Sequence, residues 1–125
     1  MKDFLIGYLC ILGTVLLTVY GQLVIKWQII KAGAFPEGTT EKVWFLLCMV
    51  FNPWVISSLA GAFLAFLLWM VAMTRFELSH AYPFMSLSFV FVLVLSGFFF
   101  HESITLPKLL GVLLIMSGII VGAQG

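Results

Sequence analysis

Four long apolar stretches, separated by short polar segments, constrain the fold of this chain more than any other feature. An α-helix rises about 1.5 Å per residue and the hydrocarbon core of a bilayer is about 30 Å thick, so one span needs roughly 20 apolar residues. Four segments meet this requirement, at about residues 4–25, 54–73, 81–100 and 106–123. The sequence therefore predicts an all-α membrane protein with four transmembrane helices.

The composition argues against a soluble globular fold. Of the 125 residues, 63% are hydrophobic and only 9% are charged. A soluble domain of this size leaves a large share of its surface in water and could not hide so much apolar surface. The formal net charge of +1 also provides no basic surface for nucleic acid. We therefore expect membrane lipid around most of the chain and no nucleic-acid partner.

The segment between the first two spans predicts a loop followed by a short helix. Residues 31–42 are mostly polar, whereas residues 43–51 are apolar but too few to cross a bilayer. Asn52 and Pro53 favour a helix break here, because Asn is a good N-cap and Pro suits the first helical position. We therefore expect residues 43–51 to form a short interfacial helix before the second span, with Trp44 near the headgroups.

The later connections are too short to form anything except tight links between antiparallel helices. Residues 74–79 join the second and third spans, and residues 101–105 join the third and fourth. Thr105 is placed to act as the N-cap of the last helix. The sequence thus predicts that residues 1–125 form a single four-helix transmembrane domain.

Polar side chains recur at every fourth position in the first span. Thr14, Thr18, Gln22 and Lys26 form one slanting stripe, because four helical residues turn by about 400°. The threonines can bond back to their own helix, Gln22 can bridge to a neighbour, and Lys26 can extend to the interface. Alternatively, the Gln22–Lys26 pair can meet an anionic headgroup. No carboxylate accompanies these two residues within the span.

Small residues in two other spans suggest close helix packing. They lie on one face of each helix, where they let two backbones approach within a membrane. Packing inside one subunit and packing between two subunits are equally compatible with this pattern. The predicted helix-packing residues are Gly61 in the second span and Gly111, Gly118 and Gly122 in the fourth.

The third span opens with a cluster of polar residues around a proline. Pro83 is expected in the first turn, where its missing N–H matters least. Tyr82, Ser86 and Ser88 supply hydroxyl groups near this end. His80 is either a binding residue or a capped, solvated histidine at the helix mouth.

No motif in the sequence indicates catalysis. The chain has no nucleophile–base pair, no metal-ligand spacing and no glycine-rich phosphate loop. The triplet His101-Glu102-Ser103 has no metal or triad partner in the sequence, so we interpret it as a connecting loop. The sequence predicts a protein that is not an enzyme and that uses no cofactor and no metal.

Several of these stretches together resemble the drug/metabolite transporter superfamily in its four-helix form. The resemblance rests on VYGQLVIKW at 19–27, on Ala-Tyr-Pro at 81–83, on Phe-His-Glu at 100–102 and on the glycine-rich last span. It covers most of the chain, and residues 31–51 match least. It implies a four-helix membrane transporter.

One branch of this superfamily, the small multidrug resistance proteins, carries a glutamate in the first span that exchanges protons for cationic drugs. Aligning VYGQLVIKW with that branch puts Thr18 at the glutamate position. All the acidic residues of this chain fall in predicted loops or at span ends, namely Asp3, Glu37, Glu41, Glu77 and Glu102. This departure disfavours multidrug antiport, and a small-solute or multidrug exporter is kept as an alternative.

The other branch comprises small subunits that flip undecaprenyl-phosphate-linked sugars, such as aminoarabinose, across the bacterial inner membrane. This resemblance implies a multi-pass inner-membrane protein and a lipid-linked sugar phosphate as cargo. A lipid phosphate is an anion, so a cation rather than a carboxylate suits it. From position and charge, we expect Lys26 to bind the phosphate and side chains of the third span to line the opposite wall. The predicted substrate-binding residues are Lys26, Gln22, Thr18, Tyr82, His80 and Ser86.

Four spans make thin walls for such a cargo, so a partner subunit is expected. Transporters generally bind at an interface between repeats, and this chain holds one repeat only. We therefore expect a homodimer, or a heterodimer with a paralogous small subunit. The polyprenyl tail is expected to stay in the bilayer while the headgroup crosses through a lateral groove. A second alternative is a non-transporting membrane subunit that docks a glycosyltransferase.

Overall fold

The computed structural model describes residues 2–124, except for the side chain of Asp3. This part of the chain is helical and contains no strand. The helices are α1 (Lys2–Ala32), α2 (Thr39–Val50), α3 (Pro53–Met73), α4 (Leu78–Ala81), a 3-10 helix (Tyr82–Ser86), α5 (Leu87–Phe99) and α6 (Leu106–Ala123).

Four helical stretches within the described residues are long and apolar enough to cross a membrane. They are Phe4–Ala32, Pro53–Met73, Leu78–Phe99 and Leu106–Ala123. The shorter helix α2 lies between the first two of them. These findings confirm the prediction of an all-α membrane protein with four spanning helices and one shorter helix. The location of α2 at the membrane surface stays a prediction.

Helix α1 extends beyond the expected end of the first span. It continues to Ala32 and stops at Gly33, whose φ of +93° is a conformation that favours glycine. The apolar residues Ile29 and Ile30 supply no reason for the helix to end earlier. At 1.5 Å per residue, α1 is about 46 Å long, so its last turns project beyond a hydrocarbon core of about 30 Å. Lys26 thus lies near one end of the bundle.

Asn52 separates α2 from α3. Its side-chain oxygen accepts the backbone N–H of Trp54 at 2.9 Å, and Pro53 occupies the start of α3. Its side-chain amide also donates to the Oε1 atom of Gln28 on α1, at 3.0 Å. The side chain therefore caps one helix and ties it to another at the Lys26 end of the bundle.

The third span is interrupted rather than regular. It begins at Leu78 with the short helix α4, continues as a 3-10 helix over Tyr82–Ser86, and becomes α-helical again at Leu87. The sequence places Pro83 in the first turn of a span that begins near residue 81, and the structure instead puts it inside the 3-10 segment. Pro83 lacks a backbone N–H and cannot complete the α-helical hydrogen bonding across this segment.

Helices α1 and α3 pack against each other more extensively than any other pair among the described residues. Ile11, Val15 and Val19, spaced by four residues, form the buried face of α1. Gly61 of α3 is buried against α1, because a Cβ there would lie 3.7 Å from Cδ1 of Tyr20. Gly61 therefore packs helices together within this chain.

Thr14 belongs to the same contact. Its hydroxyl donates to the carbonyl of Cys10 at 2.8 Å and lies 3.3 Å from the carbonyl of Ala65 on α3. The first member of the polar stripe thus joins two helices, and it is buried.

Helix α6 is the most peripheral span. Around a Cβ placed at Gly111, Gly118 or Gly122, no neighbouring atom of the described residues lies within 4 Å. Ile119 is the buried residue of this helix. The glycines of α6 therefore do not pack against the other helices of this chain, and their packing against another subunit stays a prediction.

Candidate functional site

Lys26 and Gln22 line a cleft between α1 and α5. The cleft has a volume of about 230 Å³ and lies at the end of the bundle where α1 and α5 both finish. We call it the charged cleft. Its lining residues are Gln22, Leu23 and Lys26 of α1, Val92 and Ser96 of α5, and Phe100 and Glu102 of the following loop.

Glu102 is the ionic partner of Lys26. The Nζ atom of Lys26 lies 3.9 Å from Oε1 of Glu102, and the two side chains are 52% and 43% exposed. An ion pair this exposed contributes no more than about 1 kcal/mol. His101-Glu102-Ser103 lies in the connection between α5 and α6, as predicted, and its carboxylate in addition faces the ammonium of Lys26.

The loop after α5 folds back onto that helix, which brings Glu102 to the cleft. The carbonyl of Ser96 accepts the backbone N–H of Phe100 at 2.9 Å and that of Glu102 at 3.4 Å. His101 between them has a φ of 54°, in the left-handed region that few non-glycine residues occupy. Gly97 leaves room for the returning chain, since a Cβ there would lie 2.9 Å from Cδ1 of Ile104.

Thr18 lies deeper in the bundle than Lys26 and lines two further clefts. One, of about 270 Å³ between α1 and α3, also receives Gln22. The other, also of about 270 Å³, brings Thr18 together with Tyr82 of the 3-10 helix. Gln22 thus borders both the charged cleft and a cleft of Thr18, and Thr18 connects onward to Tyr82. These residues form a discontinuous polar row from the end of the bundle inward.

His80 lies at the opposite end of the bundle. Its Nε2 atom is hydrogen-bonded to the hydroxyl of Tyr8 at 3.0 Å. At 1.5 Å per residue, about 27 Å of helix α1 separates Tyr8 from Lys26. The structure therefore does not bring His80 to the wall opposite Lys26. Ser86 is exposed and, like Tyr82, does not border the charged cleft.

Ser96 and Glu102 are the polar residues of the charged cleft that the sequence interpretation missed. Ser96 is buried, and its hydroxyl donates to the carbonyl of Leu93 at 3.3 Å. Its position inside a uniformly apolar span gave no local signal. Glu102 had one, since Phe-His-Glu belongs to the most specific part of the family resemblance.

The comparisons with known proteins agree with this architecture. The model of the EamA-like transporter family matches residues 3–122. The chain belongs to the EamA-like transporter family. This membership, together with the relatives below, confirms the resemblance to four-helix drug/metabolite transporters, and no solved structure shows a significant match.

The similar curated proteins are named as subunits of a flippase. A probable 4-amino-4-deoxy-L-arabinose-phosphoundecaprenol flippase subunit ArnF of Photorhabdus laumondii is 34% identical over 120 residues, which is 90% of this chain and 93% of that protein. A probable ArnE subunit of the same flippase from Aeromonas hydrophila is 37% identical over 115 residues, covering 92% and 91%. An ArnE relative in Pseudomonas aeruginosa UCBPP-PA14 is 30% identical, covering 88% and 90%. These names describe transport and not catalysis, and this chain is a multi-pass membrane protein.

Proposed function

We propose that this protein is a subunit of a transporter that moves a polyprenyl-phosphate-linked sugar across the bacterial inner membrane. The observation that carries the proposal is the charged cleft, where an exchangeable ion pair lies at the end of a membrane-spanning bundle. The relatives named as flippase subunits, which match along nine-tenths of the chain, support the same function.

Lys26 binds the phosphate of the cargo in this proposal. Its ammonium is half exposed and only loosely paired, so an incoming phosphate can displace Glu102 at little cost. A phosphate offers more negative charge and more acceptor oxygens than one carboxylate, and the cleft is partly shielded from water. The amide of Gln22, one turn away, donates to a phosphate or sugar oxygen.

Glu102, once released from Lys26, becomes an acceptor for the sugar. Its carboxylate accepts hydrogen bonds from hydroxyl groups, and it attracts a cationic amine more strongly. The cargo in the relatives' names carries both a phosphate and an amino group. The opposite charges of Lys26 and Glu102 complement those two groups, and this complementarity supports a lipid-linked amino sugar as the substrate.

The polar row inward from Lys26 provides a route for the headgroup. In this proposal the sugar passes Gln22 and Thr18, exchanging hydrogen bonds with these side chains and with the hydroxyl of Tyr82. His80 and Ser86 belong to the far end of the third span, where the headgroup leaves or enters. The sugar contacts are thus successive rather than simultaneous.

A second subunit completes the walls of this route. Each span other than α1 and α3 keeps most of its surface free within the described chain, and α6 exposes an entire glycine face. We propose that a second copy of this chain or a paralogous small subunit covers that surface.

The decisive experiment measures lipid binding to the purified protein by native mass spectrometry from gentle detergent. We expect Lys26→Ala to reduce the bound fraction of undecaprenyl phosphate about tenfold, because the variant removes the cation that faces the cleft. Lys42→Ala is the matched control, since that ammonium lies over the ring of Phe35, at 5.7 Å, and does not border the charged cleft. Equal binding by the two variants would remove the basis of the proposal.

A further inference from the structure

A second cleft at the Lys26 end is larger and almost entirely apolar. Its volume of about 580 Å³ falls within the range of roughly 300–1,000 Å³ that is typical of small-ligand sites. We call it the apolar cleft. Its walls are Leu23, Val24, Trp27 and Ile30 of α1, Phe99 at the end of α5, and Phe100 and His101 of the following loop.

The apolar cleft adjoins the charged cleft. Leu23 and Phe100 line both of them, so one molecule can occupy both at once. Leu23, Lys26 and Ile30 follow one another at spacings of three and four residues, which puts the ammonium on the helix face that borders the apolar cleft. A ligand with an anionic group attached directly to an apolar chain fits both clefts, with the anionic group at Lys26.

We propose that the apolar cleft binds the first isoprene units of a prenyl phosphate whose phosphate is on Lys26. This inference rests on the proposed function and adds a tail-binding site to it. In this proposal the part of the lipid tail next to the phosphate leaves the bilayer, whereas the sequence-based expectation keeps the whole tail there. The units next to the phosphate contact the protein, and the rest of the tail extends into lipid.

The walls of the apolar cleft are held in place by contacts outside it. The ring of Trp27 packs edge-on against Trp54, with centroids 5.2 Å apart, and carries Lys31 on its face. The ring of Phe99 packs perpendicular to that of Phe98, with centroids 5.1 Å apart. A cleft with walls fixed in this way selects its ligand by shape.

Shape distinguishes an isoprenoid chain from an ordinary acyl chain. In a bilayer both chains are already surrounded by apolar groups, so the cleft gains nothing from hydrophobicity and depends on packing. Isoprene units carry methyl branches and double bonds, which make them wider and stiffer than a saturated straight chain. They fill a broad aromatic-walled cleft better and lose less conformational freedom on binding.

The test compares two phosphates with the same main-chain length, farnesyl phosphate and dodecyl phosphate, in binding to the full chain in detergent. We expect the wild-type protein to prefer farnesyl phosphate about tenfold, the size of effect that methyl groups produce in a fitted pocket. Phe99→Ala is expected to abolish this preference, because Phe99 borders the apolar cleft and its loss weakens farnesyl phosphate binding more than dodecyl phosphate binding. Phe89→Ala is the matched control, since this exposed ring of the same helix borders neither cleft and its loss should keep the preference.

The possible results separate the tail site from the proposed function. Equal binding of the two phosphates, with both weakened by Lys26→Ala, overturns the tail site and leaves the proposed function intact. A second result is that Phe99→Ala removes the farnesyl preference while Lys26→Ala changes the affinity for neither phosphate. This result supports the tail site and overturns the phosphate role of Lys26. Loss of the preference in Phe89→Ala as well as in Phe99→Ala overturns the assignment of the apolar cleft. The melting temperature of each variant, followed by circular dichroism, reports whether it is folded.

Discussion

Two anions compete for the ammonium of Lys26 in our proposal, the carboxylate of Glu102 and a phosphate, and it cannot bind both closely. The 3.9 Å separation and the high exposure of both side chains describe a pair that opens readily. Within the chain, Glu102 thus keeps the ammonium oriented toward the cleft. It also competes with the ligand that we propose for that ammonium.

Glu102→Gln should therefore strengthen the binding of a simple prenyl phosphate. The amide cannot neutralise Lys26, and an exposed ion pair of at most about 1 kcal/mol corresponds to a gain of up to about fivefold in affinity. The same variant should lose any preference for an amino sugar over a neutral sugar on the same lipid. Titration of the two lipids into wild type and variant measures both effects.

Glu41→Gln provides the comparison for this experiment, because Glu41 lies in the first turn of α2 and outside the charged cleft. It should change neither affinity nor preference. If Glu102→Gln weakens prenyl phosphate binding, then the carboxylate does not compete with the ligand and the exchange described for Lys26 is wrong.

The order of the spans along the chain predicts which residues lie at the same end of the bundle. Consecutive spans are antiparallel, so the end of the first span and the end of the third lie at the same membrane side. Lys26 and Glu102 occupy those two ends, whereas His80 stands at the beginning of the third span. Counting spans would have excluded His80 from the wall opposite Lys26. It would not have given the contact with Glu102, which depends on the backbone turn at His101.

At the scale of elements, the connection from α2 to α3 depends on one side chain. Asn52 accepts from the N–H of Trp54 and donates to Gln28, so it serves both α3 and α1. Asn52→Ala removes the cap and leaves the part-buried amide oxygen of Gln28 without this donor. We expect a loss of about 1–2 kcal/mol in the free energy of unfolding, measured by denaturant titration in micelles.

Asn52→Asp separates the two roles of this side chain. Its carboxylate keeps the acceptor for Trp54 but cannot donate to Gln28, so its loss should be smaller than that of Asn52→Ala. Equal losses would mean that the cap contributes little and that the link to α1 accounts for the effect.

The loop after α5 can fold back onto that helix because Gly97 has no side chain. A Cβ at Gly97 would lie 2.9 Å from Cδ1 of Ile104 and 3.6 Å from the carbonyl oxygen of Glu102. Gly97→Val should therefore push the loop away from α5 and lengthen the distance between Lys26 and Glu102. Cross-linking of cysteines introduced at 26 and 102 by a short bifunctional maleimide, which spans the reach of the two replaced side chains, should slow because the thiols then lie farther apart.

Removing the obstructing side chain should reverse that effect. Gly97→Val combined with Ile104→Ala frees the space that Cδ1 occupied, so the cross-linking rate should recover toward that of the parent chain. A double variant as slow as the single one would show that the loop is positioned by something other than the contact between Gly97 and Ile104.

The helices themselves were predictable because their signal is local. A stretch of about 20 apolar residues must be a span wherever its partners lie, and Asn, Pro and Thr mark helix starts by their own hydrogen bonding. The 3-10 conformation of Tyr82–Ser86 could not be predicted in this way. Proline signals a disturbance, but the packing of that segment against α1, α5 and α6 decides which form the disturbance takes.

For the whole molecule, the described chain has a well-packed half and an open half. α1 and α3 bury small and β-branched residues against each other, while α6 buries little and presents Gly111, Gly118 and Gly122 to its surroundings. In a membrane such a surface is stable against lipid, so exposure alone does not demand a partner. The small side chains do permit a second helix to approach closely.

Gly61 and Gly118 should therefore respond differently to the same substitution. Gly61→Leu puts a large side chain between α3 and α1, where Tyr20 and Leu17 already lie within 4 Å of a Cβ, so it should lower the unfolding temperature of the subunit. Gly118→Leu meets no neighbouring atom of the described chain within 4 Å and should leave that temperature unchanged. The same Gly118→Leu variant should weaken dimerisation about tenfold, because we propose that α6 packs against a second subunit. Native mass spectrometry over a range of protein-to-detergent ratios measures the dimer fraction, and a fraction equal to that of wild type would exclude this glycine face from the interface.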